Sequence, residues 1–493
     1  MARVAEWRLP EIVRAPLAAA AGALAVGGYA PFYGYPLSLF GLAILFALWR
    51  GVAPGRAALL GFAWGLGFFG LGVSWVYVSL TEFGGMPAWM GAIGVTLFCA
   101  LLAAYPALVG WLYARFCARA PAWLALPALW ALAEWLRGWL FTGFPWLQLG
   151  YSQIPDSPLA AYAPVLGVLG VGLAASLSAA ALVALATGPH RLRAALGLGL
   201  VWALAAALGQ VQWTHPVGAP LRVALLQGDV AQTMKWQPGQ VRASLERYLA
   251  LARSSAAPLI ILPETALPVF WRDLPDEYRQ AYAALAKARG GDVIAGVVTG
   301  APDGTYYNSV VSLGDGPVQV YSKHHLVPFG EYIPPGFAWI VHWLHIPLSD
   351  FTPGPARQPP IAAAGQKLAM NICYEDAFGR EVVRQLPAAT ALVNVSNDAW
   401  FGHSLAPWQH AQMSQARALE TGRMALRATN TGVTAVIGRH GEILAHLPEF
   451  TQGVLEAELQ GYGGATPYVR WGDGAALVLA AVMLVGACFR RRP

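Results

Sequence analysis

The sequence predicts a multi-span α-helical membrane domain joined to an extramembrane α/β domain, and three observations predict it. Apolar residues make up 56% of the 493 residues and charged residues 12%, whereas soluble globular chains carry about a quarter charged residues. Long uncharged runs fill most of residues 16–213 and return at 474–489. From Leu221 onward, short apolar stretches punctuated by polar and Gly segments replace those runs.

The runs Pro16–Trp49, Ala57–Leu80, Met86–Tyr113, Ser157–Gly188 and Ala194–Trp213 reach or approach the roughly 20 residues of a helical span. Pro16–Trp49 is long enough for two short spans broken around Pro31 to Pro36. Ala120–Leu140 adds another, whose charges Glu134 and Arg137 lie one turn apart and can pair. The shorter run Gly474–Phe489 ends in a basic cluster. The expected count is seven spans before residue 214 and one after residue 470, with domains at 1–214, 220–468 and 471–493. Gly-rich stretches at Gly22–Gly28 and Gly61–Gly72 suit close helix packing and carry no phosphate-loop signature.

Basic residues orient these spans, because Lys and Arg stay on the cytoplasmic side. Arg3, Arg8 and Arg14 precede the first span; Arg50 and Arg56 follow the second, Arg115 and Arg119 the fourth, Arg191 and Arg193 the sixth, and Arg490 to Arg492 the last. The opposite loops hold Glu82 and Asp156, with Arg137 the one exception. Both termini are therefore expected inside and residues 220–468 outside. No small-residue cleavage site follows the first run, so a cleavable signal peptide is not expected. The excess of 32 Lys and Arg over 26 Asp and Glu lies beside hydrophobic runs, which argues against a nucleic-acid partner. A transporter or channel would place ionisable groups along a pathway within its spans, and these spans hold almost none.

The extramembrane segment reads as strands at Arg222–Gln227, Leu259–Leu262, Val293–Val298, Ser309–Leu313, Gln319–Tyr321, Leu368–Cys373, Leu392–Val395 and Val433–Ile437. Helical periodicity appears at Gln240–Ala252, Glu277–Arg289 and Gln409–Ala428. Strands alternating with helices predict α/β layers.

Reactive side chains stand at three strand ends, where sites are commonly built. Glu264 follows Ile260-Ile261-Leu262-Pro263; Lys323 opens Lys323-His324-His325-Leu326-Val327-Pro328-Phe329-Gly330-Glu331; Cys373 closes Met370-Asn371-Ile372 and precedes Tyr374-Glu375-Asp376. Cys373 is the lone cysteine of this segment, since Cys99, Cys117 and Cys488 lie in or beside spans. A thiolate is the effective nucleophile, and a nearby ammonium favours it. A carboxylate can take the thiol proton and return it to a leaving group. Lys323, helped by a backbone N–H after the nucleophile, can stabilise an oxyanion. Together the three residues suit acyl transfer through a thioester. Taken singly, Glu264 reads as a helix cap or surface ion pair, Lys323 as a solvated lysine and Cys373 as a small buried hydrophobe. His324 and His325 read as structural, and no metal-ligand spacing occurs.

The segments Leu262-Pro263-Glu264-Thr265, Tyr321 through Tyr332 and Ile372-Cys373-Tyr374-Glu375 resemble the Glu, Lys and Cys motifs of the nitrilase superfamily, in the version of its membrane-bound apolipoprotein N-acyltransferase branch. Glu134-Trp135-Leu136-Arg137-Gly138, Gly143-Phe144-Pro145-Trp146 and Thr466-Pro467-Tyr468 with Arg470 extend the resemblance along essentially the whole chain. It implies a nitrilase-like αββα sandwich, with Glu264 as general base, Lys323 as oxyanion stabiliser and Cys373 as nucleophile, and supporting roles for Trp236, Glu331, Tyr374 and Glu375. It also implies a bacterial inner-membrane enzyme with a periplasmic catalytic domain and no cofactor. Its acyl donor would be a phospholipid, typically phosphatidylethanolamine, and its acceptor the N-terminal amine of a diacylglyceryl-cysteine on an apolipoprotein. A monomer is the default expectation. The triad alone fits a membrane-tethered amidase or thioester hydrolase equally well.

Two readings stay open for Glu331, loop support or substrate positioning, and two for Trp236, interfacial anchor or site residue. Trp343, Leu344, Ile346, Pro347, Leu348 and Phe351 form an apolar segment with two readings, core as in a soluble domain or, beside a bilayer, a mobile arm dipping toward lipid. Replacing Leu344 and Leu348 with Ser should slow lipid turnover, and unchanged turnover in a folded variant removes the arm.

Overall fold

The structure, a computed structural model, describes residues 10–188, 191–232, 238–301, 303–334 and 350–489. Trp236 and the predicted arm, apart from Phe351, lie outside the described residues. The chain divides into one compact unit of Met1–Tyr77, Ala88–Val211 and Arg470–Pro493, and a second of Val78–Pro87 with Gln212–Val469.

The first unit is helical where the apolar runs lie: α1 (Glu11–Val26), α2 (Tyr35–Leu48), α3 (Pro54–Gly72), α4 (Ala88–Leu112), α5 (Ala122–Arg137), α6 (Ala163–Thr187) and α7 (Arg191–Leu208), with Gly474–Phe489 closing the unit. The break around Pro31 to Pro36 is a turn, and Pro36 opens α2 in its first turn, where its missing N–H leaves no bond unmade. Among the described residues, Ala88–Cys117, Pro158–Thr187 and Arg191–Leu208 are each long and apolar enough to cross a bilayer, and the bent pair Pro54–Gly72 with Val76–Phe83 is a fourth candidate. The Gly-rich stretches serve close packing. A Cβ on Gly22 would stand 2.0 Å from the Trp64 carbonyl oxygen, and one on Gly67 1.9 Å from that of Ala19, so α1 and α3 touch backbone to backbone.

Glu134 and Arg137 are both buried on α5. Glu134 Oε1 accepts from Trp130 Nε1 at 3.1 Å and from the Leu149 amide at 2.7 Å. Arg137 Nη1 donates to the Phe144 and Trp146 carbonyls, each at 2.6 Å. The Glu-Trp-Leu-Arg motif thus braces the Phe144–Leu149 segment, whose backbone groups have no helix to bond within.

The second unit is built from two sheets. One runs, in order, β13 (Gly453–Gly464), β1 (Thr214–Gln227), β2 (Leu259–Ile261), β4 (Asp292–Gly300), β5 (Tyr306–Leu313) and β6 (Val320–Ser322), with β3 (Leu267–Phe270) on β4, and the other runs β12 (Ile443–His446), β11 (Ala435–Ile437), β10 (Ala425–Thr429), β9 (Ala391–Ser396), β8 (Gln366–Ile372) and β7 (Ile361–Ala363). The elements that position the site are β1 (Thr214–Gln227), β2 (Leu259–Ile261), β4 (Asp292–Gly300), β5 (Tyr306–Leu313) and β6 (Val320–Ser322) in the first sheet. In the second they are β8 (Gln366–Ile372), β9 (Ala391–Ser396) and β10 (Ala425–Thr429). Pairing is parallel through β1, β2 and β4 and through β8, β9 and β10. The period-2 alternation of strands sorts the layers. Val223, Leu225, Ile261 and Ile294 share one core with Met370, Ile372, Val393, Val395 and Leu426 of the opposite sheet. Ala224, Leu226, Ile260 and Val293 face the other way, onto α8 (Pro238–Ser254) and α9 (Asp276–Ala288). Ala369, Leu392 and Ala425 likewise face α10 (Ala406–Thr421). The order is helix, sheet, sheet, helix, the αββα sandwich.

One predicted helix needs correction. Gln409–Ala428 is not continuous: α10 stops at Thr421, where Gly422 turns left-handed at φ 62, and Ala425–Thr429 is the strand β10. Both faces of β10 are buried, and Arg427 points inward to carboxylates. The strand therefore lacks the polar alternation that marks a half-exposed one.

Gly22→Ala and Gly67→Ala should each destabilise the helical unit by about 1–3 kcal/mol through overpacking. Gly70→Ala, whose Cβ would meet nothing within 4 Å, should be neutral or slightly stabilising. Thermal unfolding in detergent checks this, and equal Tm values for all three variants contradict it.

Candidate active site

Glu264 lies just beyond β2, Lys323 directly beyond β6, and Cys373 directly beyond β8. Ligand sites in sheets of this kind open at the carboxyl ends of parallel strands, where β2 and β8 deliver the carboxylate and the thiol. Two of the three motifs leave their strands through left-handed backbone: Cys373 has φ 53 and Thr265 φ 44. Such non-Gly conformations cost on the order of 1–3 kcal/mol and persist where the surroundings enforce them.

Lys323 is 1% exposed, and its ammonium lies 2.8 Å from Glu331 Oε2 and 3.7 Å from Glu264 Oε1. Burial opposes its charge, but Glu331 and then Glu264 outweigh that and hold the ammonium above lysine's ordinary value. Asn308, in the middle of β5, spends both N–H groups of its amide on these carboxylates, at 2.7 Å to Glu264 Oε1 and 2.8 Å to Glu331 Oε1. The Asn397 amide donates to Glu264 Oε2 at 2.9 Å. The Val327 amide donates to Glu331 Oε2 at 2.9 Å. Glu331 thus both ties its own loop and holds the ammonium.

Cys373 is partly accessible and unpaired. Burial pushes its thiol well up, the Glu264 carboxylate adds to this, and Lys323 pulls it back only in part. The ammonium favours the thiolate, as expected, but does not outweigh burial at the sulfur. Lys323 is already neutralised by two carboxylates, so little of its field is left for sulfur. The resting pair is a thiol beside a carboxylate, an arrangement suited to general-base activation at the moment of attack.

Tyr374 and Glu375 follow Cys373 in the same turn. Glu375 Oε2 accepts from the Ile372 amide at 2.8 Å and the Tyr321 hydroxyl at 3.0 Å, and Oε1 from the His324 and His325 amides at 2.7 and 3.1 Å. One carboxylate thereby joins the Lys strand to the Cys strand. Burial pushes its carboxyl up to about 7 against those donors and Lys323. The Tyr374 ring meets Phe378 edge-on at 5.0 Å and His325 at 5.9 Å. His324 and His325 direct their Nδ1 atoms to the Gly354 carbonyl and to Glu381, away from the triad.

Comparison with known proteins matches both parts of the chain to family models. Residues 222–468 match the family model for carbon-nitrogen hydrolases, and residues 21–181 match that for the apolipoprotein N-acyltransferase N-terminal domain. The apolipoprotein N-acyltransferase of Nitrosomonas europaea is 51% identical over 472 residues, covering 94% of this chain and 95% of its own. This chain belongs to the apolipoprotein N-acyltransferase family. Members from Methylococcus capsulatus and Chromobacterium violaceum, each 46% identical, cover 97% and 96% of it.

Reading for this family's motifs overlooks Asn308, Asn397 and a buried histidine, His410. Asn308 did carry a signal, because Asn is depleted from strands and here interrupts one. Asn397 acts through its backbone, which no side-chain motif reports. Asn308→Leu should leave two buried carboxylates short of a donor, at about 1–3 kcal/mol, and slow acyl transfer about 5- to 150-fold. A transfer assay on the folded variant checks this, and an unchanged rate contradicts it.

Proposed function

We propose that this membrane enzyme N-acylates apolipoproteins through a thioester on Cys373. The observation that carries the reading is the buried Lys323 ammonium held between Glu331 and Glu264, with both Glu264 and Lys323 acting electrostatically on the Cys373 thiol. Glu264 takes the thiol proton as sulfur attacks the sn-1 ester carbonyl of a phospholipid, typically phosphatidylethanolamine. Lys323 and a backbone N–H beyond Cys373 stabilise the oxyanion. The ester C–O bond then breaks, and Glu264 delivers the proton to the departing lysophospholipid oxygen. In the second half, the α-amine of a diacylglyceryl-cysteine attacks the thioester, Glu264 takes the amine proton, and the thiol is restored as the amide forms. Glu331 and Glu375 position Lys323 and the Cys373 strand. Tyr374 lines the nucleophile's turn, and Trp236 is assigned a substrate-side role.

The basic loops support seven spans before the catalytic domain and one after it, with both termini cytoplasmic and the catalytic domain periplasmic. A lipid donor is then at hand in the bilayer, and a single chain carries all the residues invoked, so a monomer suffices.

Mass spectrometry after incubation with phospholipid should find an acyl adduct on Cys373, absent in Cys373→Ala and Cys373→Ser. Glu264→Gln should slow adduct formation by about 10²- to 10⁴-fold. A fully active Cys373→Ala enzyme overturns the mechanism. Release of free fatty acid with no acylated lipopeptide amine would instead mark a hydrolase.

A further inference from the structure

Below Cys373 lies a second group of charges that the mechanism does not use. His410, Asp376, Asp398 and Arg427 are each at most 1% exposed. They come from α10, from the turn that Cys373 opens, from the turn after β9, and from β10. His410 Nδ1 is 2.9 Å from Asp398 Oδ1, and Nε2 is 2.9 Å from Asp376 Oδ1 and 3.1 Å from the carbonyl oxygen of Cys373. Arg427 bridges the same two carboxylates, Nη1 to Asp376 Oδ2 at 3.1 Å and Nη2 to Asp398 Oδ2 at 2.8 Å.

Two connections lead from this cluster to the reacting groups. The Cys373 carbonyl, on a residue held left-handed, accepts from His410 Nε2 and from Asn394 Nδ2, both at 3.1 Å. Asp398 is pinned by His410, by Arg427 and by Ser396 Oγ at 2.7 Å. The residue before it, Asn397, presents the amide that holds Glu264. His410 therefore stands between the nucleophile's backbone and the turn that aims the carboxylate, which belong to different strands.

The protonation state follows from charge and geometry. Two carboxylates with one guanidinium leave a net negative charge in a dry interior, and a protonated imidazole makes the group neutral. Nδ1 faces Asp398 Oδ1 at 2.9 Å, while Nε2 donates to the Cys373 carbonyl at 3.1 Å with Asp376 Oδ1 2.9 Å away as a charge contact, an arrangement that suits a ring protonated on both nitrogens. Arg427 Nη2 also lies 2.8 Å from Nδ1, a contact suited to a bare ring nitrogen. That alternative would set the Nδ1 lone pair against Asp398 Oδ1. The imidazolium leaves Arg427 Nη2 its own acceptor in Asp398 Oδ2.

We propose that His410, held as an imidazolium between Asp376 and Asp398, is a positioning residue that fixes the Cys373 backbone and the Asn397 amide together, and so aligns the nucleophile with Glu264. The groups facing it are Asp376, Asp398, Arg427, the Cys373 carbonyl and the edge of the Phe401 ring. Burial and Arg427 oppose its charge, and the two carboxylates outweigh them, holding its pKa up to about 9. The raised value puts the aligned state below that pH and loses it as pH rises through about 9. Neither Lys323 nor Cys373 confuses the window, since both are displaced upward.

The inference rests on Cys373 being the acylated residue, and the test separates the two. The full-length enzyme in detergent is acylated with a p-nitrophenyl acyl ester, which carries no titrating headgroup, and Cys373 adducts are counted by quenched mass spectrometry across pH. The wild-type rate should fall above about pH 9. In His410→Gln, kcat should drop about tenfold or more with KM nearly unchanged, and the alkaline limb should vanish. In Asp398→Asn the limb should move to lower pH, because one carboxylate supporting the imidazolium is gone. A wild-type profile flat from about pH 8 to about pH 10 overturns the proposal without any variant. So does a His410→Gln enzyme that keeps the wild-type kcat or the same limb. Absence of any adduct on Cys373 sinks the thioester reading instead.

Discussion

A buried ammonium needs partners, and satisfying Lys323 organises the candidate site. An unpaired charge in a dry interior is far too costly to persist. Lys323 answers that cost with Glu331 at 2.8 Å and Glu264 at 3.7 Å. Two carboxylates around one ammonium create the opposite excess, which Asn308 and the Val327 and Asn397 amides absorb with N–H donors. Glu264 is then rigidly held with both oxygens engaged. The thiol beside it stays protonated, because burial and the Glu264 carboxylate outweigh the pull of the ammonium.

The backbone around Cys373 obeys a second constraint. A left-handed cysteine at the end of a buried strand persists only if its neighbours over-determine it. Glu375 grips the Ile372 amide from one side while also gathering the Tyr321 hydroxyl and the His324 and His325 amides. Asn394 and His410 grip the Cys373 carbonyl from the other. A residue of the Cys373 motif thus serves the lysine's strand as well and ties the Lys and Cys segments together across two sheets.

The helical unit meets its polar obligations differently. At Phe144–Leu149, which runs between helices, Glu134 and Arg137 supply side-chain partners for the backbone. Small residues let α1 and α3 approach until a methyl group would not fit. Packing of this kind holds helices together where apolar solvent removes the hydrophobic drive.

The amino-acid sequence by itself determined what local chemistry decides. Apolar run length set the helices, short stretches rich in Val, Ile and Leu set most strands, and three strand-end motifs marked Glu264, Lys323 and Cys373. It misjudged Gln409–Ala428 because β10 is buried on both faces, and its Arg427 points into a charge cluster that no local pattern reveals. Tertiary structure alone decided which carboxylate neutralises which cation, and therefore that Cys373 rests as a thiol. It alone also brought His410, Asp376, Asp398 and Arg427 into one cluster. Pairing energies between charges depend on distance and burial, and residues remote along the chain acquire both only when the two sheets close on each other.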